Sequence, residues 1–133
     1  MINDTNELIE KVLIDEESLN LRIRKLAAKL NEYYKDKDTV ILVGILKGSV
    51  MFMAELAKYL KVDTNLEFMA VSSYEGTEST GNVKILKDLD TDVEGKEVLL
   101  VEDIIDTGNT LSKLKDNLLK RNPIDVKIVT LLD

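Results

Sequence analysis

The stretch V-L-L-V-E-D-I-I-D-T-G-N-T, residues 98–110, decides the fold. It opens with the apolar run V-L-L-V, which indicates a buried strand, and this strand runs into the adjacent carboxylates Glu102 and Asp103. Its second half carries small and hydroxyl-bearing residues, and Thr107 is the predicted start of a helix. A buried strand that runs directly into a helix start indicates an α/β domain.

The segments on either side repeat this alternation. Strands are predicted at residues 39–45, 65–73, 83–86, 96–102 and 126–132, and helices at residues 15–34, 48–60 and from residue 107 onward. Strands that alternate with helices imply a mainly parallel sheet with right-handed crossovers. We therefore predict a Rossmann-like three-layer α/β fold, formed by a single domain over residues 1–133.

Composition limits the chemistry that this domain can perform. The chain has 18 Lys plus Arg against 25 Asp plus Glu, a net charge of −7, and no basic block, which argues against a nucleic-acid or membrane-surface partner. It has no Cys and no His, so disulfide scaffolds, thiolate zinc sites and the commonest general base are excluded. The start of the chain is acidic rather than signal-like, and we expect a cytoplasmic protein.

The turn at residues 106–110 suits a phosphate group. Backbone N–H groups point outward at a helix N-terminus, and the hydroxyls of Thr107 and Thr110 add donors. Taken alone, D-T-G-N-T is equally well explained as an ordinary helix cap after a core strand. Glu102 and Asp103 change that balance, because adjacent carboxylates repel each other unless a cation or a hydroxyl-bearing group lies between them. A ribose diol or Mg²⁺ meets that need.

Residues 98–110 resemble the phosphoribosyl-pyrophosphate signature of type I phosphoribosyltransferases. Three further segments are similar, in order and spacing, to the hypoxanthine (hypoxanthine-guanine) phosphoribosyltransferases. I-L-V-G-I-L-K-G-S, residues 41–49, resembles their pyrophosphate-binding loop, and S-S-Y-E-G-T-E-S-T-G, residues 72–81, resembles their flexible catalytic loop. V-L-I-D-E-E-S-L, residues 12–19, resembles their N-terminal strand and helix entry.

This resemblance implies a function in purine salvage. The 5-phosphoribosyl group of phosphoribosyl pyrophosphate would move to N9 of hypoxanthine, with guanine as a second candidate base, giving IMP or GMP and pyrophosphate. The implied ligands are therefore phosphoribosyl pyrophosphate, a purine base, a purine 5′-nucleotide and Mg²⁺ as cofactor. Family members also commonly form dimers or tetramers, so a homo-oligomer is expected.

The resemblance also implies a role for each matched residue. Asp106 would be the general base near purine N7, and Ser73 and Tyr74 would close over the reacting centre. Glu102 and Asp103 would hold the ribose hydroxyls directly or through Mg²⁺. The full implied substrate-binding set is Lys47, Gly48, Glu102, Asp103, Asp106, Thr107, Gly108, Asn109 and Thr110. The resemblance further implies a cis peptide bond between Leu46 and Lys47.

The resemblance stops short at the C-terminal end. In the family, a hood segment that covers the base follows the last core strand, and a lysine that contacts the base follows T-L-L-D directly. The sequence ends at Asp133, the last residue of that motif. We therefore expect a truncated chain that retains the sugar-phosphate half of the site and turns over weakly or not at all.

Two other classes compete with an enzyme. A non-catalytic regulator could keep the same fold and sense a nucleotide or phosphoribosyl pyrophosphate. A receiver-type signalling domain shares the size and acidity, but it places its acidic pair after the first strand rather than a late one. Two apparent motifs have structural explanations: Met51, Phe52, Met53 and Phe68 are predicted to be core packing, and the acidic residues 88–94 a solvated turn.

Overall fold

The computed structural model describes the backbone of residues 2–73, 83–104 and 109–132, and the side chains of residues 16–72, 83–102 and 110–131. These ranges form three helices and five strands. In chain order they are α1 (Ile2–Tyr33), β1 (Val40–Ile45), α2 (Val50–Tyr59), β2 (Thr64–Ser73), β3 (Val83–Lys87), β4 (Glu97–Ile104), α3 (Asn109–Leu119) and β5 (Asp125–Leu132).

The strands form one sheet in the order β3-β2-β1-β4-β5. The strand β1 lies at its centre and pairs in parallel with both β2 and β4, and β5 pairs in parallel with β4. The edge strand β3 is antiparallel to β2. Every residue of β1 is buried, as expected for a continuous apolar run in a parallel sheet. The predicted mainly parallel sheet is confirmed.

Helices cover both faces of the sheet. Alternate residues of a strand point to opposite faces, and in β1 the side chains of Val40 and Leu42 belong to a different core cluster from those of Ile41 and Val43. The first cluster includes residues of α1 and α2, whereas the second includes residues of α3. This arrangement is the predicted three-layer α/β fold, with α1 and α2 in one outer layer and α3 in the other.

The structure corrects the sequence interpretation at the first helix. The helix α1 begins at Ile2 rather than near residue 15, so residues 12–14 are helical where the resemblance implied a strand. A strand needs a neighbour to pair its backbone groups, whereas a helix satisfies them internally. None of the described strands pairs with this segment. A helix therefore satisfies the backbone hydrogen-bonding groups of this segment.

The structure also corrects one core assignment and one helix boundary. Met51 is 74% exposed and is not part of the core, although Phe52 and Met53 are buried as predicted and Phe68 packs partly buried against them. Phe52, Met53 and Leu56 form the buried side of α2, which turns Met51 toward solvent. The start of α2 also differs from the prediction, because the helix begins at Val50 rather than Gly48.

The length and hydropathy of a helix decide whether it could span a membrane. Among the helices that the structure describes, none is both long and apolar enough to cross a membrane.

Candidate active site

The candidate site lies at the edge of the sheet where the parallel strands end. The strands β2 and β3, which follow β1 in the chain, lie on one side of β1 in the sheet, and β4 and β5 lie on its other side. The strand order therefore reverses between β1 and β4. In open α/β sheets, ligands bind in the crevice outside the carboxyl ends of the strands at such a reversal. The relevant segments are those that follow β1, β2 and β4.

The loop after β1 is held close to the sheet. The Leu46 N–H donates to the Met69 carbonyl of β2 at 2.8 Å, so the loop leaves β1 while still paired. Lys47 and Gly48 are exposed, whereas Ser49 is fully buried. The Leu46–Lys47 peptide bond is cis, as the resemblance implied. The Lys47 ammonium and the Gly48 backbone are thus accessible to a ligand in the crevice.

Glu102 lies on the neighbouring strand at the same edge. In the register of β1 and β4, Gly44 faces Val101, so Glu102 is the next residue along β4. Its side chain is partly buried, and across the sheet it faces Thr130 of β5. The loop that carries Lys47 and the strand end that carries Glu102 are therefore neighbours. This juxtaposition gives the crevice a cation from one strand and a carboxylate from the next.

Several predicted site residues can be placed only in part. Asp103 continues β4 after Glu102, Ser73 is the last residue of β2, and Asn109 is the first residue of α3; the side chains of these three lie outside the described ranges. Thr110 is partly buried in the first turn of α3. Asp106, Thr107, Gly108 and Tyr74 lie outside the described residues. Their roles therefore stay predictions.

The ends of the predicted catalytic loop are fixed by strand pairing. Ser73 of β2 faces Val83 of β3, and Ser72 faces Lys84 in the same antiparallel ladder. Residues 74–82 connect these paired ends. Met69 of β2 faces Ile45, the last residue of β1, and β2 continues to Ser73. The predicted catalytic loop therefore follows a strand that extends beyond the end of β1.

The donor groups at this edge fit Mg²⁺. Among the side chains that the structure describes, no group of three carboxylates, histidines or cysteines could hold a metal ion. Proteins usually bind Mg²⁺ through only one or two carboxylates, and substrate phosphates and water complete the coordination. Glu102 is a carboxylate at the strand end, with Asp103 beside it in sequence. This set can serve Mg²⁺ that arrives with a phosphorylated substrate.

Two groups away from the crevice have shifted pKa values. The Arg121 guanidinium, which donates to both carboxylate oxygens of Asp88 at 2.9 and 3.2 Å, lowers the pKa of that carboxyl below its usual value. Burial, followed by the nearby Glu97 charge, raises the pKa of the Tyr34 hydroxyl. These shifts concern the turn after β3 and the segment before β1, and they bear on stability.

Sequence reasoning gave no role to two residues that shape the β1 loop. Gly44 and Ser49 both lie within residues 41–49, which resemble the pyrophosphate-binding loop, but the resemblance implies no role for either residue. The structure packs them against each other beneath Lys47 and Gly48. The available signal was a glycine inside an otherwise apolar strand, which often marks a close approach of neighbouring atoms.

Comparisons with known proteins agree with this geometry. The family model described as "Phosphoribosyl transferase domain" matches residues 13–133. This chain belongs to the phosphoribosyl transferase domain family. A phosphoribosyltransferase fold accounts for both the strand order and the position of the crevice.

Individual relatives show which group of phosphoribosyltransferases this chain is similar to. It is 52% identical over 126 residues to the hypoxanthine-guanine phosphoribosyltransferase of Streptococcus agalactiae serotype V, covering 94% of this chain and 69% of that protein. It is 50% identical over 125 residues to the hypoxanthine phosphoribosyltransferase of Escherichia coli K12, covering 92% and 70%. The predicted membership of the hypoxanthine(-guanine) phosphoribosyltransferases is confirmed.

Solved structures give the same result. A hypoxanthine phosphoribosyltransferase from Staphylococcus aureus superposes with a TM-score of 0.81 at 44% identity, over 86% of this chain and 62% of that one. The Trypanosoma cruzi enzyme in complex with its product IMP superposes with a TM-score of 0.80 at 39% identity, over 86% and 66%. The phosphoribosyltransferase chain thus spans about two thirds of the length of these relatives.

Proposed function

We propose that this phosphoribosyltransferase acts in purine salvage. It transfers the 5-phosphoribosyl group from phosphoribosyl pyrophosphate to N9 of hypoxanthine, or of guanine, with release of pyrophosphate. The observation that carries the proposal is the juxtaposition of Lys47 and Glu102 on adjacent strands at the reversal of strand order. The names of its relatives support the same reaction.

The substrate's pyrophosphate and ribose occupy different parts of the crevice in this proposal. Lys47 supplies a positive charge to the pyrophosphate, which the exposed position of its side chain allows. Glu102 and Asp103 accept hydrogen bonds from the ribose hydroxyls or act as ligands of Mg²⁺. When bound, Mg²⁺ would neutralise charge on the leaving pyrophosphate. The 5′-phosphate lies at residues 107–110, where backbone N–H groups at the start of α3 favour an anion.

Proton transfer and exclusion of water complete the proposed mechanism. Asp106 acts as the general base: its carboxylate accepts the proton of purine N7, which a carboxylate close to the base can do. Ser73 and Tyr74 close over the reacting sugar and keep out water that would hydrolyse it. The oxocarbenium-like sugar centre gains most from positioning and electrostatic stabilisation, so the absence of His and Cys from the sequence is no obstacle.

Base recognition belongs to a different part of the family's sequence. The hood that selects the purine follows the last core strand in that family, and residues 13–133 match the family model. We therefore propose that residues 13–133 supply the sugar-phosphate half of the site and that the hood recognises the base. A polypeptide that also carries the remaining third of the Streptococcus agalactiae relative should form IMP faster than residues 1–133 alone. Equal rates for the two polypeptides would contradict this inference.

The activity is tested by following IMP formation from hypoxanthine, phosphoribosyl pyrophosphate and Mg²⁺. Asp106→Asn should abolish most turnover and leave binding of phosphoribosyl pyrophosphate intact, because it removes a proton acceptor and keeps the shape of the side chain. Substitution of the exposed Asp116 by Asn, on α3, provides a matched control. Retention of full turnover by Asp106→Asn would contradict the assigned role.

A regulator that senses phosphoribosyl pyrophosphate is the alternative function. It would bind the ligand with no IMP formed, even by the extended polypeptide. We also propose a cytoplasmic single-domain protein that forms a homo-oligomer; for the Trypanosoma cruzi relative, the C-terminal region bears on both oligomeric state and activity. Sedimentation of the purified chain, alone and with phosphoribosyl pyrophosphate, measures the oligomeric state directly.

A further inference from the structure

Ser49 does not cap the helix that it precedes. Such a serine commonly accepts a hydrogen bond from a backbone N–H of the first helical turn. Here the side chain makes no cap hydrogen bond with α2. Its hydroxyl instead donates to the Ile45 carbonyl at 2.7 Å, and the Ser49 N–H donates to the same carbonyl at 3.2 Å. The side chain therefore acts on the preceding loop rather than on the helix.

This double contact closes the loop after β1. Leu46, Lys47 and Gly48 lie between the carbonyl that accepts the two bonds and the residue that donates them. Ser49 is fully buried, so its hydroxyl bond to Ile45 is shielded from competing water. The exposed part of the loop thus stands on a buried hydrogen-bonded base, and the Val50 N–H adds a bond to the Lys47 carbonyl at 3.3 Å.

Gly44 makes room for this base. A Cβ atom at residue 44 would lie 2.8 Å from the Met53 sulfur, 2.9 Å from the Ser49 hydroxyl oxygen and 3.3 Å from the Phe68 ring. The first two distances are shorter than van der Waals contact allows, so both the Met53 side chain and the Ser49 side chain would have to move. Glycine at this position therefore lets the Ser49 hydroxyl reach the Ile45 carbonyl.

We propose that Ser49, seated against Gly44, is a positioning residue for the pyrophosphate of phosphoribosyl pyrophosphate. It acts through the loop: by fixing residues 46–48, it holds the Lys47 ammonium and the Gly48 backbone toward the crevice. The inference rests on the proposed function, because it takes Lys47 and Gly48 as the groups that contact pyrophosphate. Ser49 itself is buried and does not touch the ligand.

The test compares two ligands that use different parts of the site. Pyrophosphate with Mg²⁺ probes the β1 loop, and ribose 5-phosphate probes residues 107–110. Ser49→Ala should weaken pyrophosphate and phosphoribosyl pyrophosphate binding about threefold to tenfold, the effect of losing one buried hydrogen bond. Ribose 5-phosphate binding should stay unchanged. The fold should persist, because the backbone N–H of residue 49 can still donate to Ile45.

Two further variants separate positioning from a general loss of structure. Gly44→Ala should reproduce the ligand selectivity of Ser49→Ala, since it displaces the same hydroxyl from the other side. Thr39→Ala is the matched control: it removes a hydroxyl that donates to Asp63 at 2.6 Å at the opposite end of β1, and both ligands should bind it normally. Circular dichroism and thermal melting check that each variant is folded.

A double-mutant cycle tests the route of the effect. In a Lys47→Ala background, Ser49→Ala should weaken pyrophosphate binding less than it does in the parent chain, because the cation that it positions is already absent. Equal weakening of both ligands by Ser49→Ala, or unchanged pyrophosphate binding, would overturn the inference. If the parent chain bound ribose 5-phosphate but neither pyrophosphate nor phosphoribosyl pyrophosphate, the proposed function itself would fail, and this inference with it.

Discussion

Glu102 is partly buried where β4 leaves the core, one residue beyond the pair formed by Val101 and Gly44. At the residue scale, this position explains why a carboxylate is useful there. A carboxylate at the end of a buried strand is held in place by the sheet and still reaches the crevice. The loop of Lys47 follows the neighbouring strand β1, so in the proposed function opposite charges contact the ligand from two strands.

Replacement of Glu102 by Gln tests this role at the level of charge. Glu102→Gln keeps the shape of the side chain and removes its charge, so Mg²⁺-dependent binding of phosphoribosyl pyrophosphate should weaken about tenfold or more, as for loss of a charged hydrogen bond. Calorimetry at several Mg²⁺ concentrations measures this loss. Glu94→Gln, an exposed substitution before β4, should bind normally. Equal affinities for the two variants would contradict the assignment.

Gly95 offers a residue-scale prediction for stability alone. It has a φ of 72°, with nothing within 4 Å of the position that a Cβ atom would occupy. Gly95→Ala should therefore cost about 1–2 kcal/mol of unfolding free energy from backbone conformation, and Gly95→Asn should cost less because Asn tolerates this region. Urea unfolding measures both. Ligand binding should be unaffected, since Gly95 precedes β4 at the end opposite to Glu102.

At the scale of elements, the sequence located each strand that the structure describes to within about two residues. Continuous apolar runs such as that of β1 can be satisfied only in a sheet covered on both faces, so the pattern leaves little choice. The start of α1 could not be predicted in this way. Residues 12–14 suit a strand or a helix, and the choice depends on whether a partner strand is present, which is a tertiary property.

The pair Arg121–Asp88 joins two elements and carries a pH-dependent prediction. Arg121 follows α3 and Asp88 follows β3, so their bidentate contact ties the helix to the edge strand. Arg121 lowers the folded-state pKa of Asp88 below its usual 3.8. The pair therefore contributes its full stabilisation at pH values above the unfolded-state pKa, and it loses this contribution as the pH falls through the lowered folded-state pKa.

Arg121→Ala should lower the unfolding free energy at pH 7 by about 0.5 kcal/mol, because the pair is partly exposed to solvent. The difference from the parent chain should shrink as the pH falls below 3.8. Denaturant titrations at a series of pH values measure it, with the exposed neighbour Lys120→Ala as control. NMR titration of the Asp88 carboxyl should show its pKa rising in Arg121→Ala. An unchanged pKa would contradict the account.

At the scale of the whole molecule, the position of the candidate site follows from the reversal of strand order between β1 and β4. The reversal brings the carboxyl ends of β1 and β4 to one crevice, with α2 and α3 on opposite faces of the sheet. The family resemblance predicted that Lys47 and Gly48, after β1, and Glu102 and Asp103, on β4, belong to one substrate-binding set. It could not predict that the Ser49 hydroxyl turns back to Ile45 beneath the loop, because this contact depends on the space left by Gly44 and on the packing of Met53 and Phe68.

The most direct test of the central claim is an amide NMR titration of this chain with phosphoribosyl pyrophosphate and Mg²⁺. The proposed site predicts saturable shifts at Lys47, Gly48, Glu102 and Asp103 and at residues 107–110. It predicts none at Lys37 or Lys96, which lie at the amino-terminal end of the sheet. Shifts confined to that opposite end, or no shifts at millimolar ligand, would contradict the claim that these strand ends form the phosphoribosyl site.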